Sequence, residues 1–568
     1  MLTIFLIVCL TIAYSIYKRW TRISISQVPG PESKSFLYGN LPELFQAQAA
    51  EGNTSLAETF GFSTYTVQQG RLQVAADVWG CHQDPCTSGR RPSSHSDPKA
   101  LQHIIIQRAT ASPKPPSRGG DIAPDFRFLL GDDHKRYRKV MLPGFGGPES
   151  KSFFPTFFAC AEKMSQKWKD SIEISQDQSA VLDAASWISR ATLDAIGQGT
   201  NQALAAAFDY QFGALDDSDN ALAKAYTNLF FDIFGTMTKG AILSLSIMDH
   251  LPSKVVSFLM RQFPSGRLNH GLLINKLSTV VAKELVDQKF DALLEGKGRR
   301  DVMSLLVKAN ASESPKTQLE ERELLGQMNI IILAGHETTT NTLCFALIEL
   351  CKRPELQERL RKEIRATERV IHDRGDTQFT PSDFESMPFL SAMIKETLRF
   401  HPVAYNIYRV AEKDDVLPLS TPITTTSGKV LHELPIPKGL HVDASIAAYN
   451  RQVPSPLPAN KEIFGDDADV FDPDRWLRDA SPKTKTALGV YANLFTFAGG
   501  SRSCIGWRFA VMELHAFVIE LLSNFEFSLT ETHGIRREAC GIMTPTIEGQ
   551  AEKGSQLPLK IRLAHRDD

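Results

Sequence analysis

Near its C-terminus the chain reads Phe497-Ala498-Gly499-Gly500-Ser501-Arg502-Ser503-Cys504-Ile505-Gly506, one cysteine framed by glycines, an arginine and a phenylalanine. A cysteine stays deprotonated when backbone N–H donors, a helix N-terminus and an apolar wall surround it. Gly500 and Gly506 allow tight turns because glycine tolerates positive φ and has no side chain. Arg502 offers a cation to an anionic ligand group, and the Phe497 ring can shield the sulfur from water. The stretch therefore predicts that Cys504 binds a metal as a thiolate; a buried structural cysteine on a glycine-rich turn is the alternative.

The segment after this cysteine has the character of a helix. Residues 507–514 read WRFAVMEL, so the Cys504 sulfur would lie near the positive end of a helix dipole. The whole stretch resembles the haem-binding signature of cytochrome P450, F-x-x-G-x-R-x-C-x-G, and it matches at every specified position. The resemblance implies haem b, with Cys504 as the axial ligand of the iron. Thiolate ligation of this kind favours cleavage of the O–O bond.

A long helix is predicted over residues 321–350, where apolar residues recur at helical spacing almost all round. A helix that is apolar on every side belongs in the centre of a domain. The stretch Ala334-Gly335-His336-Glu337-Thr338-Thr339 interrupts it with polar residues. A charged residue in such a place is costly unless it has a partner or a task.

The polar interruption suits oxygen chemistry. Ala334 and Gly335 remove side-chain bulk, so a planar cofactor and dioxygen could lie against the helix. Glu337 and Thr338 add a carboxylate and a hydroxyl, which can relay protons with an ordered water. The hexapeptide resembles the family's oxygen-binding motif, A/G-G-x-D/E-T-T, which implies catalytic roles for Glu337 and Thr338. A polar helix end capped by Thr and Glu is the alternative, and His336 fills the variable position without a predicted role.

Two segments fit the pattern E-x-x-R. Residues 358–361 (ERLR) lie among alternating charges, which is typical of a solvated helix face. Glu396 and Arg399 follow an apolar run instead, which favours burial, and a buried Glu/Arg pair must be multiply hydrogen-bonded. Arg475 lies in FDPDRW, which resembles the family's F-x-P-x-R-W segment. The resemblance implies that Glu396, Arg399 and Arg475 lock the loop leading to the thiolate.

A basic stretch over residues 131–138, GDDHKRYR, predicts the exposed start of a helix. It also resembles the family's G-x-x-W/H-x-x-x-R segment, whose aromatic and arginine residues reach the haem propionates. His134 and Arg138 share one helix face at this spacing, and His134 replaces the commoner Trp. By the same resemblance Arg409 is a further cofactor-binding residue.

The bulk composition is that of an ordinary globular protein. The 568 residues are 42% hydrophobic and 23% charged, with a net charge of -2. The length allows roughly three or four domains, but no long flexible linker divides the chain, which favours one catalytic haem domain over 41–568. The charge gives no support to nucleic-acid binding. Because the eight cysteines are irregularly spaced, we expect a reducing compartment and no disulfide framework.

The N-terminus predicts a membrane anchor. Residues 1–17 carry no charge and are followed by Lys18, Arg19 and Arg22. About 17 apolar residues are the lower limit for crossing a bilayer, and the positive-inside rule then places the rest in the cytosol. A cleaved signal peptide is the alternative, but its basic residues would precede the apolar run. By resemblance to microsomal members we expect a single-pass anchor in the endoplasmic reticulum membrane, with a basic, Pro-rich hinge over 18–40.

Two stretches interrupt the pattern. Residues 80–96 are rich in Cys, Ser, Pro, Arg and His, and they predict a loop where a strand is expected. Residues 197–206 interrupt a helical run. In the resembled family these regions are usually shorter, so both are candidate insertions.

The resemblance implies a mainly α fold with small β-sheets, the cytochrome P450 haem-thiolate fold. It implies insertion of one oxygen atom from O2 into a lipophilic substrate such as a terpenoid or other secondary metabolite. No strand followed by a G-x-G-x-x-G motif is present, so electrons must come from a separate NADPH-cytochrome P450 reductase, with cytochrome b5 as a further candidate. A haem-thiolate isomerase or dehydratase without external electrons, and a non-catalytic haem protein, are the alternatives.

The apolar residues of the segment 230–260 predict part of an access channel. Residues 402–407 and 542–544 are expected to complete its wall. Ordinary packing between helices is the alternative for all three segments.

Overall fold

The computed structural model of the chain describes residues 97–107 and 131–565 with short gaps. The residues not described within this range are 198, 202–203, 206–209, 217–219, 237, 242–243, 245–252, 263–265, 297–301, 311–318, 426, 439, 452–460, 479–486 and 531–533. The predicted anchor, the hinge and the candidate insertion 80–96 lie outside the described residues. Within the described part, no helix is both long and apolar enough to cross a membrane.

Helices make up most of the described chain. In chain order they are α1 (Pro98–Gln102), α2 (Gly131–Met141), α3 (Gly147–Ser152), α4 (Phe154–Glu173), α5 (Ala184–Gly197), α6 (Ala221–Tyr226), α7 (Leu229–Phe234), α8 (Ser253–Gln262), α9 (Gly266–Leu294), α10 (Val302–Asn310), α11 (Glu321–Gly335), α12 (Glu337–Lys352), α13 (Pro354–Asp373), α14 (Pro388–Phe400), α15 (Ile446–Arg451), α16 (Lys461–Phe464) and α17 (Trp507–Asn524). Short 3-10 turns, among them Phe495–Phe497 and Gly500–Arg502, join some of the later elements.

The strands form small antiparallel sheets. They are β1 (Ser179–Asp183), β2 (Gly199–Asn201), β3 (Leu204–Ala205), β4 (Asn406–Val410), β5 (Asp415–Thr424), β6 (Val430–Ile436), β7 (His441–Ser445), β8 (Phe525–Leu529), β9 (Ile535–Cys540), β10 (Ile542–Ile547) and β11 (Pro558–Leu563). Strand β11 lies between β1 and β8, and the others pair as β2 with β3, β4 with β7, β5 with β6, and β9 with β10. The predicted fold class, mainly α with small sheets, is confirmed. Part of the candidate insertion 197–206 forms the β2–β3 ribbon.

The predicted central helix is two helices, α11 and α12, which meet at His336. Thr338 and Thr340 donate their hydroxyls to the carbonyls of Ala334 and His336 at 2.7 and 3.0 Å. Such side-chain bonds compete with the backbone ladder, which accounts for the break that the periodicity did not predict. The buried His336 ring also lies between two carbonyls, those of Ile332 at 2.9 Å and Tyr226 at 3.2 Å. Beyond the break, α12 is buried from Thr339 to Leu350, as its apolar sequence requires.

Helix α17, which follows Cys504, packs against α4 through an aromatic cluster. The Phe509 ring lies edge-on to those of Phe145, Phe153 and Phe157, with centroid distances of 6.5, 5.8 and 4.6 Å. All four rings are buried, and each contributes about 1.5–3 kcal/mol of transfer free energy. The cluster therefore fixes the N-terminal turn of α17, and with it the position of Cys504.

Glu396 and Arg399 form an ion pair with no exposed surface. A guanidinium carries five N–H donors. Two of those on Arg399 donate to the Glu396 carboxylate, at 2.8 Å from Nε and 2.6 Å from Nη2. The remaining donors reach the backbone carbonyls of Asn450, Ala468 and Val470. Every N–H of this buried cation thus has an acceptor, as a tolerated buried pair requires.

The Glu396 carboxylate also holds the segment around Arg475. It accepts bonds from the Asp472 amide at 2.8 Å and the Trp476 indole at 2.9 Å. Arg475 Nε lies 3.6 Å from Glu396 Oε1, and Arg475 also binds the Asp467 side chain at 2.7 Å. The structure therefore brings together the three residues predicted to form this network.

The other E-x-x-R segment differs in part from its prediction. Glu358 is exposed, but Arg361 is buried and donates to the carbonyls of Leu522 at 3.1 Å and Phe525 at 2.9 Å. The alternating charges therefore mark a helix edge whose arginine caps the end of α17, and only its glutamate is solvated.

Replacing Arg399 with Lys should destabilise the fold strongly. A lysine ammonium offers three donors in place of five and lacks the planar fork, so buried acceptors lose their partners. We expect the free energy of unfolding to fall by about 3–5 kcal/mol, measured by chemical denaturation. Arg359→Lys is the matched control, since Arg359 pairs with Asp474 at an exposed site and should cost less than about 1 kcal/mol. Equal losses of unfolding free energy in both variants would contradict the larger contribution to stability that we assign to the buried network.

Candidate functional site

Cys504 lies on the loop between the turn Gly500–Arg502 and α17. Its amide donates to the Phe497 carbonyl at 2.8 Å, which closes the loop on itself. The Gly506 residue caps the N-terminus of α17, and its amide hydrogen-bonds the sulfur. Protein encloses the sulfur in most directions, yet the side chain keeps accessible surface. The sulfur therefore lies at a helix N-terminus, where the sequence predicted it.

The pKa of Cys504 is set by opposing effects. Burial raises the pKa of the thiol above its ordinary value, while the Gly506 amide and the Arg138 guanidinium act to lower it. Burial has the larger effect, so a further positive charge beside the sulfur would favour the thiolate. A metal ion bonded to the sulfur would supply that charge.

Only one of the two predicted glycine turns is present in the loop. Gly500 has a φ of +66°, and a Cβ there would lie 2.5 Å from the Ile105 carbonyl, so no other residue fits without strain. Gly506 has a φ of -90°, and a Cβ there would make ordinary contact with Phe145 at 3.8 Å. Gly506 therefore does not need the positive φ that was predicted for it; its amide faces the sulfur, and its close approach to a cofactor stays a prediction.

Four basic residues from separate elements gather around this loop. They are His134 and Arg138 on α2, Arg409 on β4 and Arg502 before Cys504. Burial, then the charges of Arg502 and Arg138, lower the pKa of His134 to about 4. Burial and Arg502 lower the pKa of Arg409 to about 10, and burial lowers that of Arg502. This excess of positive charge fits a ligand with carboxylate groups, such as the two propionates of haem.

Arg138 also braces the cysteine loop directly. Its Nη1 and Nη2 atoms donate to the carbonyl and hydroxyl oxygens of Ser503 at 2.7 and 3.1 Å. Ser503 immediately precedes Cys504, so Arg138 both holds the loop and acts electrostatically on the sulfur. Its predicted bond to a propionate stays a prediction, as do the propionate roles of His134, Arg409 and Arg502.

The polar stretch of the central helices presents two different faces. Ala334 is exposed and Thr338, one turn later, is partly exposed, on helices that are otherwise mostly buried here. Glu337 points elsewhere, because its carboxylate accepts the amides of Leu229 at 2.5 Å and Phe230 at 3.0 Å. It therefore caps α7, and the predicted acid and hydroxyl have different partners.

The environment of Glu337 makes it a weak acid. Burial raises its pKa to about 7, with a smaller contribution from Asp232, and the two α7 amides oppose the shift. A carboxyl group with such a pKa exchanges its proton near neutral pH, as a general acid must.

Glu337 borders a polar cavity of about 140 Å³. The cavity extends to Lys553, which is exposed. Ser555 Oγ and Gln556 Oε1 also lie in its lining, and neither has a hydrogen-bond partner among the residues that the structure describes. A polar cavity of this size has room for several waters, which would satisfy both atoms. Glu337 thus borders a polar cavity that is distinct from the exposed face of Thr338.

Gly335 has a different task from the predicted one. A Cβ at this position would lie 1.9 Å from Ile196 Cδ1 on α5. The missing side chain therefore lets α5 pack against α11, and it does not open space for a planar cofactor. Ala334, with its exposed side chain, remains the candidate for that contact.

Two buried polar residues near the site were missed in the sequence. Glu513 in α17 has no exposed surface, and burial raises its pKa well above the usual range while the Thr339 hydroxyl lowers it. The signal was a single carboxylate within the apolar run after Cys504. Asn450 in α15 is equally buried and binds the Phe495 amide; no pattern in its neighbourhood singled it out.

The apolar segment predicted to line a channel contributes aromatic rings near the β9–β10 turn. Phe230 and Phe234 stack with a centroid distance of 5.8 Å. Gly541, at φ +79°, lies so close that a Cβ there would be 2.6 Å from the Phe234 ring. On α8 the Phe258 ring is 60% exposed, so part of the segment faces outward. The channel itself stays a prediction.

Comparison with known proteins gives a consistent result. The family model described as cytochrome P450 matches residues 95–552. Cytochrome P450 monooxygenase 91 of Postia placenta is 30% identical over 557 residues, 94% of each chain. Cytochrome P450 monooxygenase claP of Ampulloclitocybe clavipes is 33% identical, over 93% of this chain and 95% of its own. Ganoderic acid synthetase of Ganoderma lucidum is 29% identical, over 95% and 94%.

The match covers the whole region that carries the site. It includes the cysteine loop, the polar stretch between α11 and α12, the buried ion pair and the basic residues of α2. On the strength of the family model and of relatives aligned over nearly their full lengths, the chain belongs to the cytochrome P450 family.

Proposed function

We propose that this chain is a haem-thiolate monooxygenase that inserts one oxygen atom from O2 into a lipophilic organic molecule. The observation that carries the proposal is the Cys504 sulfur, placed at the N-terminus of α17 and beside a cluster of partly buried basic residues. A cysteine thiolate is one of the side chains that can hold haem iron, and basic residues beside it suit the two propionates. Haem, when bound, supplies the redox chemistry of oxygen activation.

The chain's own residues divide the remaining tasks. Cys504 would hold the iron, and the Gly506 amide and Arg138 favour its thiolate form. His134, Arg409 and Arg502 would hold the propionates. Burial and the charges of Arg502 and Arg138 lower the pKa of His134, and a propionate carboxylate would oppose that shift; in either protonation state the imidazole can donate a hydrogen bond to it.

Proton delivery falls to Glu337 and Thr338. Glu337 can take a proton from the water of the polar cavity and release it near neutral pH. The Thr338 hydroxyl lies on the exposed face beside Ala334, where it can orient a water molecule. A swing of the Glu337 side chain, or a bridging water, has to connect the two groups.

Substrate class, electron donor and location are further parts of the proposal. The aromatic rings of α7 near Gly541 favour an apolar substrate, such as a terpenoid, steroid, fatty acyl chain or aromatic compound. The name of the Ganoderma relative is in keeping with a role in secondary metabolism. We further propose that NADPH-cytochrome P450 reductase, with cytochrome b5 as a second donor, supplies electrons at the endoplasmic reticulum membrane, where residues 1–17 anchor the chain.

Replacing Cys504 with Ala should abolish thiolate ligation. The haem-loaded variant should lose the thiolate-type Soret band of the carbon monoxide complex completely, as measured by a reduced difference spectrum. Cys351→Ala is the control, since Cys351 lies at the far end of α12 and should leave the band unchanged. Absence of that band in folded, haem-loaded wild type would refute the proposed function. Product formation without NADPH would favour the isomerase or dehydratase.

Replacing Thr338 with Ala should keep haem binding and uncouple turnover. Loss of the hydroxyl that orients a water should raise hydrogen peroxide released per NADPH consumed about tenfold. The measurement uses reductase and a compound found by its haem spin shift. Thr367→Ala removes a hydroxyl bonded to a helix carbonyl in the same way, at 3.2 Å from the Glu363 carbonyl, and should stay coupled. Full coupling in Thr338→Ala would count against the relay.

The coupling of turnover should fall as pH rises through about 7. The raised pKa of Glu337 keeps its carboxyl protonated below that value and ionised above it, so the proton donor is lost at higher pH. Asp232 contributes to the raised pKa, and Asp232→Asn should therefore move the midpoint to lower pH by a fraction of a unit. The measurement is the ratio of product to NADPH across pH. A midpoint that does not move in this variant would contradict the assignment to Glu337.

A further inference from the structure

Asn450 occupies a junction between the buried ion pair and the cysteine loop. It lies in the short helix α15 and has no exposed surface. A buried side-chain amide is costly unless its polar atoms are satisfied. The Asn450 backbone hydrogen-bonds to the ion pair on one side, and the Asn450 side chain hydrogen-bonds to the segment before Cys504 on the other.

The backbone of Asn450 contacts the ion pair. Its carbonyl accepts a hydrogen bond from Arg399 Nη1 at 2.8 Å. This is one of the five donors that the guanidinium must place, so α15 is fixed relative to α14. The bond depends on the position of the main chain and is independent of the side chain.

The side chain of Asn450 hydrogen-bonds to the segment before the cysteine. The Phe495 amide donates to its Oδ1 at 2.9 Å, and its Nδ2 donates to Thr496 Oγ1 at 2.8 Å. The Thr496 hydroxyl in turn donates to the Leu398 carbonyl at 2.6 Å, next to Arg399. Because a backbone amide can only donate, the Phe495 bond fixes which end of the side chain is the oxygen.

The path continues from Phe495 along the backbone to the cysteine. Phe495 begins the 3-10 turn Phe495–Phe497, and the Phe497 carbonyl accepts the Cys504 amide at 2.8 Å. The Tyr449 ring packs edge-on against Phe495 with a centroid distance of 5.7 Å, which supports the same contact. The ion pair is therefore linked to the Cys504 amide through Asn450, by hydrogen bonds and by the backbone from Phe495 to Phe497.

The same helix is tied to the opposite side of the basic cluster. Helix α15 follows directly from β7, and β7 pairs with β4, where Val442 faces Arg409. The position of α15 thus sets the strand that carries Arg409 as well as the loop that carries Cys504.

We propose that Asn450 is the positioning residue that transmits the rigidity of the Glu396–Arg399 pair to the Cys504 loop. The inference rests on the proposed haem-thiolate function. Asparagine suits the task because it offers an acceptor and a donor at once; aspartate offers only acceptors, and leucine offers neither. Without the amide, Phe495 and Thr496 lose their anchor and the sulfur is held less firmly on the iron.

The test compares two buried amides of the full-length, haem-loaded protein. Asn450→Leu keeps the approximate volume and removes both hydrogen bonds. Gln357→Leu is the matched control, because the Gln357 amide accepts from the Phe527 amide at 2.8 Å and donates to its carbonyl at 3.1 Å, between α13 and β8. Both variants should lower the melting temperature by similar amounts.

Only the Asn450 variant should change the haem signature. We expect the fraction of haem with a thiolate-type carbon monoxide band to fall to less than half of the wild-type value. The reduction potential of the remaining thiolate fraction should become more positive, because a loosely held sulfur donates less charge to the iron. The Gln357 variant should match wild type in both measurements.

A milder variant covers the case in which Asn450→Leu fails to fold. Thr496→Val removes one hydroxyl from the same path and should shift both quantities in the same direction by a smaller amount. If both variants fold, the double variant should shift the thiolate-type band and the reduction potential by less than the sum of the two single shifts, as for residues of one network.

The outcomes are separable. A wild type without the thiolate-type band overturns the proposed function itself. A wild type with the band, together with Asn450 and Thr496 variants that match the Gln357 control in band and potential, overturns only the role of Asn450.

Discussion

A buried guanidinium must find five acceptors, and the region around the cysteine is built on the way in which Arg399 meets this requirement. Two of its donors go to Glu396, and the others take backbone carbonyls from two later segments, that of Asn450 in α15 and those of Ala468 and Val470 in the loop before Arg475. Because these carbonyls are backbone atoms, the arginine fixes the course of the chain itself. The segments so fixed include the short helix whose asparagine holds the turn before Cys504. One ion pair thus determines where the sulfur can lie, although it lies outside the cysteine loop.

Charge around the sulfur is balanced in a way that suits a cofactor carrying both an iron and carboxylates. The surrounding protein raises the pKa of the Cys504 thiol although its side chain keeps accessible surface, and burial together with the charge of Arg502 lowers the pKa values of His134 and Arg409. A ligand with a metal ion for the sulfur and carboxylates for the basic residues would oppose both the raised pKa of the thiol and the lowered pKa values of the basic residues. The observation is independent of the sequence signature, because residue spacing carries no information about how strongly the groups interact. It therefore adds physical support to an assignment that the family comparison makes on sequence alone.

Motifs with fixed spacing predicted much of the site, and packing decided what they could not. The cysteine loop, the buried Glu396–Arg399 pair and the mainly α fold could be predicted because each leaves a local pattern. The packing role of Gly335 and the direction of Glu337 depend on neighbours distant in sequence: Ile196 and the amides that begin α7. No sequence pattern marks Asn450, since asparagine is common near helix ends and only its hydrogen-bond partners show its role. Local sequence thus predicts which residues are special, while long-range contacts determine what each one does.

Glu337 caps the helix that carries Phe230 and Phe234, and this gives the acid a mechanical link to the predicted channel wall. Two amides of α7 stabilise the ionised carboxylate and so oppose the rise in its pKa. A molecule that pushes these rings aside would stretch both amide bonds and strengthen the hold of Glu337 on its proton. A molecule that presses the helix inward would have the reverse effect. The proton affinity of Glu337 therefore depends on where α7 lies, because both of the opposing amides belong to that helix.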